Sequence, residues 1–334
     1  MNEEIMTLDM TTRELRSDDF IINTKAIREL SEKLMKLLYF NTCGAIIFGR
    51  TRIGKTTAIL CLTRQLHDRY GESFPVIIWD LTEHVSTEKN FYGELLIELG
   101  IDYNHRTMTA LALRARVINE MALAAYSTPY RQIVIMLDEA WMLTENDFSW
   151  LMDLYNKLKR KDILLFCFMF GTEELKSFKA ELKQLGLRQI VERFMLHEIV
   201  FYGMKEPAEM MLCLIELDKH TVTTGEGKSS IKIIDYFFPD REKGKTFASL
   251  TDDFWNAFMQ VRAENAINPD DVPMQYFIDA FIALLIDHGR FGEESVAFPT
   301  YNELYDSVVK SKFSESGFEN ENVGKKKKFK RRRR

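Results

Sequence analysis

Residues 49 to 57 read Gly49, Arg50, Thr51, Arg52, Ile53, Gly54, Lys55, Thr56 and Thr57, and four of them keep the spacing G-x-x-x-x-G-K-[ST] without departure. That pattern suits a nucleoside triphosphate. Lack of side-chain bulk at Gly49 and Gly54 lets successive backbone N–H groups curl around a β-phosphate at the start of a helix, whose dipole favours anions. Lys55 can then reach the β and γ oxygens, and the Thr56 hydroxyl can ligate Mg²⁺. An apolar run, Ala45 to Phe48, precedes the loop, and a helix-patterned stretch, Thr56 to Tyr70, follows it. The motif therefore sits where a strand turns into a helix, the context it requires.

A second group of candidates lies about eighty residues on. Arg131 to Met142 is an apolar strand that ends in Asp138 and Glu139. Acids at the C-terminal end of a parallel strand stand where ligands bind in such sheets. Asp138 is expected to hold Mg²⁺ through its water shell, and Glu139 to polarise the water that attacks the γ-phosphate. A solvated acidic pair is the plainer alternative. Another apolar run, Val76 to Trp79, separates Lys55 from Asp138, which favours ATPases with a strand-borne catalytic glutamate over small-molecule kinases. The run Ile163 to Phe170 ends in Gly171 and Thr172. Thr172 can touch the attacking water and the γ-phosphate, or cap a helix over Glu173 to Leu185, or both. Arg188 and Arg193 follow; they are surface arginines in a monomer, but in a ring one of them can enter the neighbouring subunit's site.

These residues need a scaffold, and the hydrophobic pattern supplies one. Five short apolar runs, Ala45 to Phe48, Val76 to Trp79, Ile133 to Leu137, Ile163 to Phe170 and Met195 to Phe201, are separated by segments of helical period. Apolar runs without alternation predict a parallel sheet covered on both faces. The fold class is therefore α/β. A helix is expected over Thr24 to Phe40, and from Met204 onward helical patterns dominate: Pro207 to Leu217, Leu250 to Ala263 and Met274 to Asp287. The polar stretch His220 to Lys245 is expected to hold a short strand, Ile231 to Phe238. The reading divides the chain into an N-terminal segment (1–23), an α/β domain (24–203), a smaller helical subdomain (204–312) and a disordered basic tail (313–334).

Composition narrows the class. The 334 residues are 46% apolar, as in globular proteins. The longest uninterrupted apolar run, Ile163 to Phe170, falls far short of the ~20 residues a spanning helix needs, and Glu3, Glu4 and Asp9 are unlike a secretory signal. No membrane association and a cytoplasmic location are expected. The four cysteines form no C-x-x-C pair and read as reduced, buried thiols, not as metal ligands. A net charge of −5 hides an asymmetry: the last ten residues, Lys325 to Arg334, carry nine basic side chains, which leaves residues 1–324 at −14.

Taken in order, these pieces resemble the AAA+ ATPases, and within them the transposition regulators of the TnsC/TniB type, relatives of the bacterial helicase loaders. The resemblance spans about Asn23 to Met204. It rests on the phosphate loop, on Asp138-Glu139-Ala140, on Phe170-Gly171-Thr172-Glu173-Glu174-Leu175 and on Val191-Glu192-Arg193-Phe194. It implies a P-loop NTPase domain with a helical lid, ATP and Mg²⁺ as cofactors, and Arg193 ahead of Arg188 as the arginine finger. No Gly-x-x-Arg opens a late helix, so a second sensor arginine is not assigned.

Such regulators resemble one another in assembling on duplex DNA as rings or helical filaments, linking a target-selection protein to a transposase. By that resemblance two segments should face DNA, one with His84, Thr87 and Lys89, the other with Arg106, Thr107, Thr109, Arg114 and Arg116. Hydroxyls and cations without base-reading geometry suit phosphate contacts; a solvated loop and helix face is the plainer alternative. The acidic body implies local contacts repeated across subunits. The basic tail is expected to add nonspecific DNA affinity, with a protein contact as the competing role. A helicase-loader-like remodeller and a nucleotide-gated signalling switch that binds no DNA stay open as alternatives.

Overall fold

The chain's apolar runs become the strands of one parallel sheet. In the computed structural model, which describes residues 11–17, 20–82, 85–224 and 229–317, these are β1 (Gly44–Phe48), β2 (Val76–Asp80), β3 (Gln132–Asp138), β4 (Leu164–Gly171) and β5 (His197–Val200). Their order is β2-β3-β4-β1-β5. β1 pairs with β4 from Gly44↔Cys167 to Phe48↔Gly171, and β2 with β3 up to Asp80↔Asp138, so the strand ends that carry the chemistry come level. β1 is buried along its whole length, as a β-branched and aromatic run without alternation should be.

Backbone contacts divide the described residues into two compact units, those within 27–50 and 55–201, and those within 11–26, 51–54 and 202–317. In the first, helices fill every crossover: Lys55–Tyr70 after β1, Glu88–Glu98 and Ala110–Tyr126 after β2, Glu145–Lys159 after β3, and Glu174–Gln184 with Arg188–Phe194 after β4. Their starts are set by local chemistry. Thr87 and Thr109 each accept a hydrogen bond at a helix N-terminus, from Asn90 N and Ala112 N, both at 3.2 Å. Thr144 and Asp147 form a capping box, and the fully buried Asp147 carboxylate also accepts from Ser86 Oγ at 3.0 Å, which fastens the segment after β2 to the helix that follows β3. Arg114 lies 3.0 Å from Asp153 and 3.5 Å from Glu88, so its charge bridges three helices.

The second unit packs the helices Pro207–Lys219, Thr251–Glu264, Met274–His288 and Tyr301–Lys310 around an aromatic core that includes Phe254, Phe258, Phe277 and Phe281. The strand expected over Ile231 to Phe238 is corrected here. β7 is Ser229–Lys232, antiparallel to β6 (Thr221–Thr224), and Ile233–Phe237 is a short helix. The reason is spacing: Ile233, Ile234 and Phe237 fall on one helical face and are buried, a pattern that a short apolar run does not distinguish from a strand. The first residues assigned to the disordered tail are also corrected. Residues Phe313–Gly317 form a 3₁₀ turn whose fully buried Phe313 ring sits 5.1 Å from Phe258 and 5.7 Å from Tyr276.

Phe313→Ala should therefore cost about 3–5 kcal/mol of stability, the range for emptying a buried aromatic site. Chemical denaturation reads this directly; an unchanged midpoint would return Phe313 to the tail.

Candidate nucleotide site

The loop after β1 is anchored at its first glycine, where Gly49 N donates to Gly171 O at 3.2 Å, tying it to the end of β4. Farther along, Arg52 and Gly54 take the left-handed backbone (φ 59° and 100°). At Gly54 that conformation is one an L side chain resists, which explains the residue type there. The stretch 51–54 clusters with the second unit, within which Gln275 N donates to Arg52 O at 3.2 Å and the Arg52 guanidinium lies 5.6 Å from the Tyr276 ring centre. Ile53 is buried, whereas Thr51 and Arg52 are exposed; Arg50 and Thr57 are half-buried.

Lys55 opens the helix Lys55–Tyr70 and is 6% exposed; its ammonium donates to Arg50 O at 2.9 Å and Gly49 O at 3.3 Å. Burial pushes its pKa below the ordinary lysine value, opposed by the charges of Glu139 and Asp138. Those three charges share one locality, although the carboxylates arrive from β3 and the lysine from the loop. Thr56 Oγ1 donates to Asp138 Oδ2 at 2.6 Å, and Glu139 N donates to Asp138 Oδ1 at 3.0 Å. Magnesium prefers a small set of hard oxygens together with retained waters. An outward-facing hydroxyl and a carboxylate this close fit that demand, so Thr56 and Asp138 would hold the ion and supply charge neutralisation at the phosphates.

Glu139 is bent into the left-handed region (φ 48°, ψ 41°), a conformation that costs a non-glycine residue on the order of 1–3 kcal/mol and clusters at functional sites. The turn places its carboxylate against Trp141, whose indole Nε1 donates to Oε2 at 2.5 Å. Sequence reasoning missed Trp141; its only signal was an indole two residues past the acid. Thr172 does not cap the helix it precedes. Glu173 holds the cap position of Glu174–Gln184 without a side-chain bond, and the buried Thr172 hydroxyl has no hydrogen-bond partner among the described residues. An orphaned hydroxyl at the end of β4 is available to a phosphate or a water.

The two arginines differ in availability. Arg193 is committed within its own chain, with its guanidinium 4.4 Å from the Tyr155 ring centre and a 3.3 Å bond to Asn156 Oδ1. That same Tyr155 phenol is pushed up to about 12, mainly by burial and then by the Cys43 thiol. Arg188 is exposed at the start of Arg188–Phe194.

Of the residues expected to meet DNA, Thr87 and Thr109 are helix caps and Arg114 is the half-buried ion-pair bridge described above. Arg106 and Thr107 lie exposed in one loop, and Lys89 is half-buried. Neither Lys89 nor Arg106 has an ion-pair partner among the described residues, and Arg116 pairs with Glu120 at 3.8 Å. His84 and the basic tail lie outside the described residues. Among the described residues, no helix is long and apolar enough to cross a membrane.

Residues 42–178 match the family model of an AAA domain. The structure resembles the ORC2 protein of Aeropyrum pernix in its ADPNP and ADP complexes, at TM-score 0.50 and 12% identity, over 90% of this chain and 71% of that one. It also resembles the ORC1 protein of Aeropyrum pernix in complex with DNA, at TM-score 0.52 and 15% identity, over 88% of this chain and 66% of that one. No curated protein matches the chain. The sheet around the loop has the AAA+ P-loop NTPase fold.

Proposed function

We propose that this chain binds ATP with Mg²⁺, hydrolyses it, and works as an oligomer on duplex DNA in the manner of the transposition regulators that its sequence resembles, linking a target-selection protein to a transposase. The carrying observation is the convergence of Lys55, Thr56, Asp138 and Glu139 at the end of the phosphate loop. In this reading Lys55 binds the β and γ oxygens, Thr56 and Asp138 hold the ion, Glu139 receives the proton of the attacking water, and Thr172 orients that water. The Mg²⁺ ion, when bound, neutralises charge developing on the phosphates.

Oligomerisation enters through the arginines. Arg188 has no ion-pair partner among the described residues to leave on the way to a neighbouring subunit's site, whereas Arg193 must first leave Tyr155 and Asn156, so the proposal gives Arg188 the role in trans. For DNA, the likeness to an ORC1 protein bound to DNA supports a nucleic-acid partner over a switch that never meets one. It also keeps a loader-type remodeller as the second reading. The available cations, Lys89 and Arg106, are few on an acidic body, which suits weak contacts repeated along a filament.

Lys55→Ala should abolish ATP binding, while Glu139→Gln should keep binding and lose turnover by at least about a hundredfold; a binding assay and a phosphate-release assay separate the two. Arg188→Ala protein should bind nucleotide yet hydrolyse poorly, and adding Lys55→Ala protein, which supplies an intact Arg188, should partly restore turnover. Lack of rescue at every ratio counts against action in trans. Replacing Lys89 and Arg106 together by Ala should weaken binding to all duplex sequences alike and flatten the salt dependence by up to about two logarithmic units of slope. Arg114→Ala should instead lower thermal stability, because it unpairs Asp153 and Glu88.

A further inference from the structure

The indole of Trp141 occupies a place that packing alone does not explain. It is the third residue of the segment Glu139-Ala140-Trp141, in a 3₁₀ turn closed by Met142 N donating to Glu139 O at 2.9 Å. The turn and the left-handed backbone at Glu139 together bring the carboxylate back onto its own chain, where Nε1 takes Oε2. The other carboxylate oxygen has no such partner among the described residues. The charges of Glu139 and Asp138 both act on the Lys55 ammonium, so the held carboxylate shares a locality with the phosphate loop.

The ring edge next to Nε1 is also close to a neighbour. A side-chain carbon at Gly171 would come 3.3 Å from Trp141 Cδ1 and 3.0 Å from Leu175 Cδ1, so any larger residue there would press on Leu175 and on the indole. Gly171 binds the start of the phosphate loop through its carbonyl and is followed by Thr172 with its orphaned hydroxyl. One side chain thus bonds the acid at the end of β3 and lies beside Gly171 at the end of β4.

We propose that Trp141 is a positioning residue for hydrolysis: its N–H fixes one oxygen of Glu139 so that the other faces the attacking water, and its ring on Gly171 sets that orientation relative to Thr172. In the step it serves, the water oxygen bonds to the γ-phosphorus as the bond to the bridging oxygen of the departing ADP breaks, and the water proton passes to the free oxygen of Glu139. A bidentate carboxylate held at one oxygen presents the other in a narrow range of angles, and small misplacements of a reacting group are costly in rate. The inference rests on the reading of Glu139 given above.

The test is steady-state ATP hydrolysis by the full chain, with nucleotide affinity measured separately by titration of a non-hydrolysable ATP analogue. Trp141→Phe keeps the ring on Gly171 and removes the N–H; it should lower kcat about tenfold while the KM and the analogue's Kd stay within about twofold. Trp141→His restores an N–H donor on a smaller ring and should recover part of the loss. A purely structural role would instead weaken analogue binding and kcat together, with no recovery in the histidine variant, and that result overturns the inference. Glu139→Gln serves as the control. If it loses turnover while Trp141→Phe hydrolyses at the parental rate, the inference alone fails; if Glu139→Gln itself turns over at the parental rate, the assignment of Glu139 fails and takes the inference with it.

Discussion

A single 2.6 Å hydrogen bond, from Thr56 Oγ1 to Asp138 Oδ2, closes the site across the sheet. Its donor lies in the first turn of the helix after β1 and its acceptor ends β3, with β4 lying between those strands. For the two to meet, β1, β4 and β3 must be parallel and their C-terminal ends level, and the backbone register provides this. The apolar core beneath is the condition for that register. Slippage of one residue would move every side chain of a strand to the opposite covered face, against a layer it does not fit. The core's stabilisation and the site's geometry are therefore one constraint.

The positions nearest the phosphates bear the local cost of this arrangement. Lys55 is almost completely buried, and burial works against its charge; the acids of β3 offset part of that penalty. Glu139 adopts a backbone conformation that a non-glycine residue avoids, and the indole of Trp141 helps to hold it there. Strained or desolvated residues of this kind persist only where surrounding packing over-determines them, and the buried ends of β3 and β4 supply that packing.

Much of this was legible in the sequence because it follows from short-range rules. The phosphate loop is a contiguous pattern, and four of the strands are apolar runs whose length and lack of alternation announce a covered parallel sheet, whereas β5 is exposed at three of its four positions. Other features were illegible for definite reasons. Thr87 and Thr109 are exposed hydroxyls, and the same chemistry serves a helix cap or a phosphate contact, so residue type could not separate the two. Arg114 looks like a free cation until the fold brings Asp153 beside it. Ile233 to Phe237 carries strand-like residues at helical spacing, too few for periodicity to decide. Phe313 stands near a charged tail in sequence, but its ring is buried among aromatic residues more than thirty positions away. The bond from Trp141 depends on a left-handed residue that no local pattern specified.

The central claim is that Thr56 and Asp138 form a magnesium-dependent nucleotide site, and calorimetric titration with a non-hydrolysable ATP analogue tests it most directly. The parental chain should bind the analogue at least about tenfold more tightly with Mg²⁺ than with a chelator, a difference worth about 1.4 kcal/mol. Thr56→Ala and Asp138→Asn should each erase most of that difference. Equal affinity with and without Mg²⁺ in the parental chain, or a magnesium effect that survives both substitutions, would contradict the account.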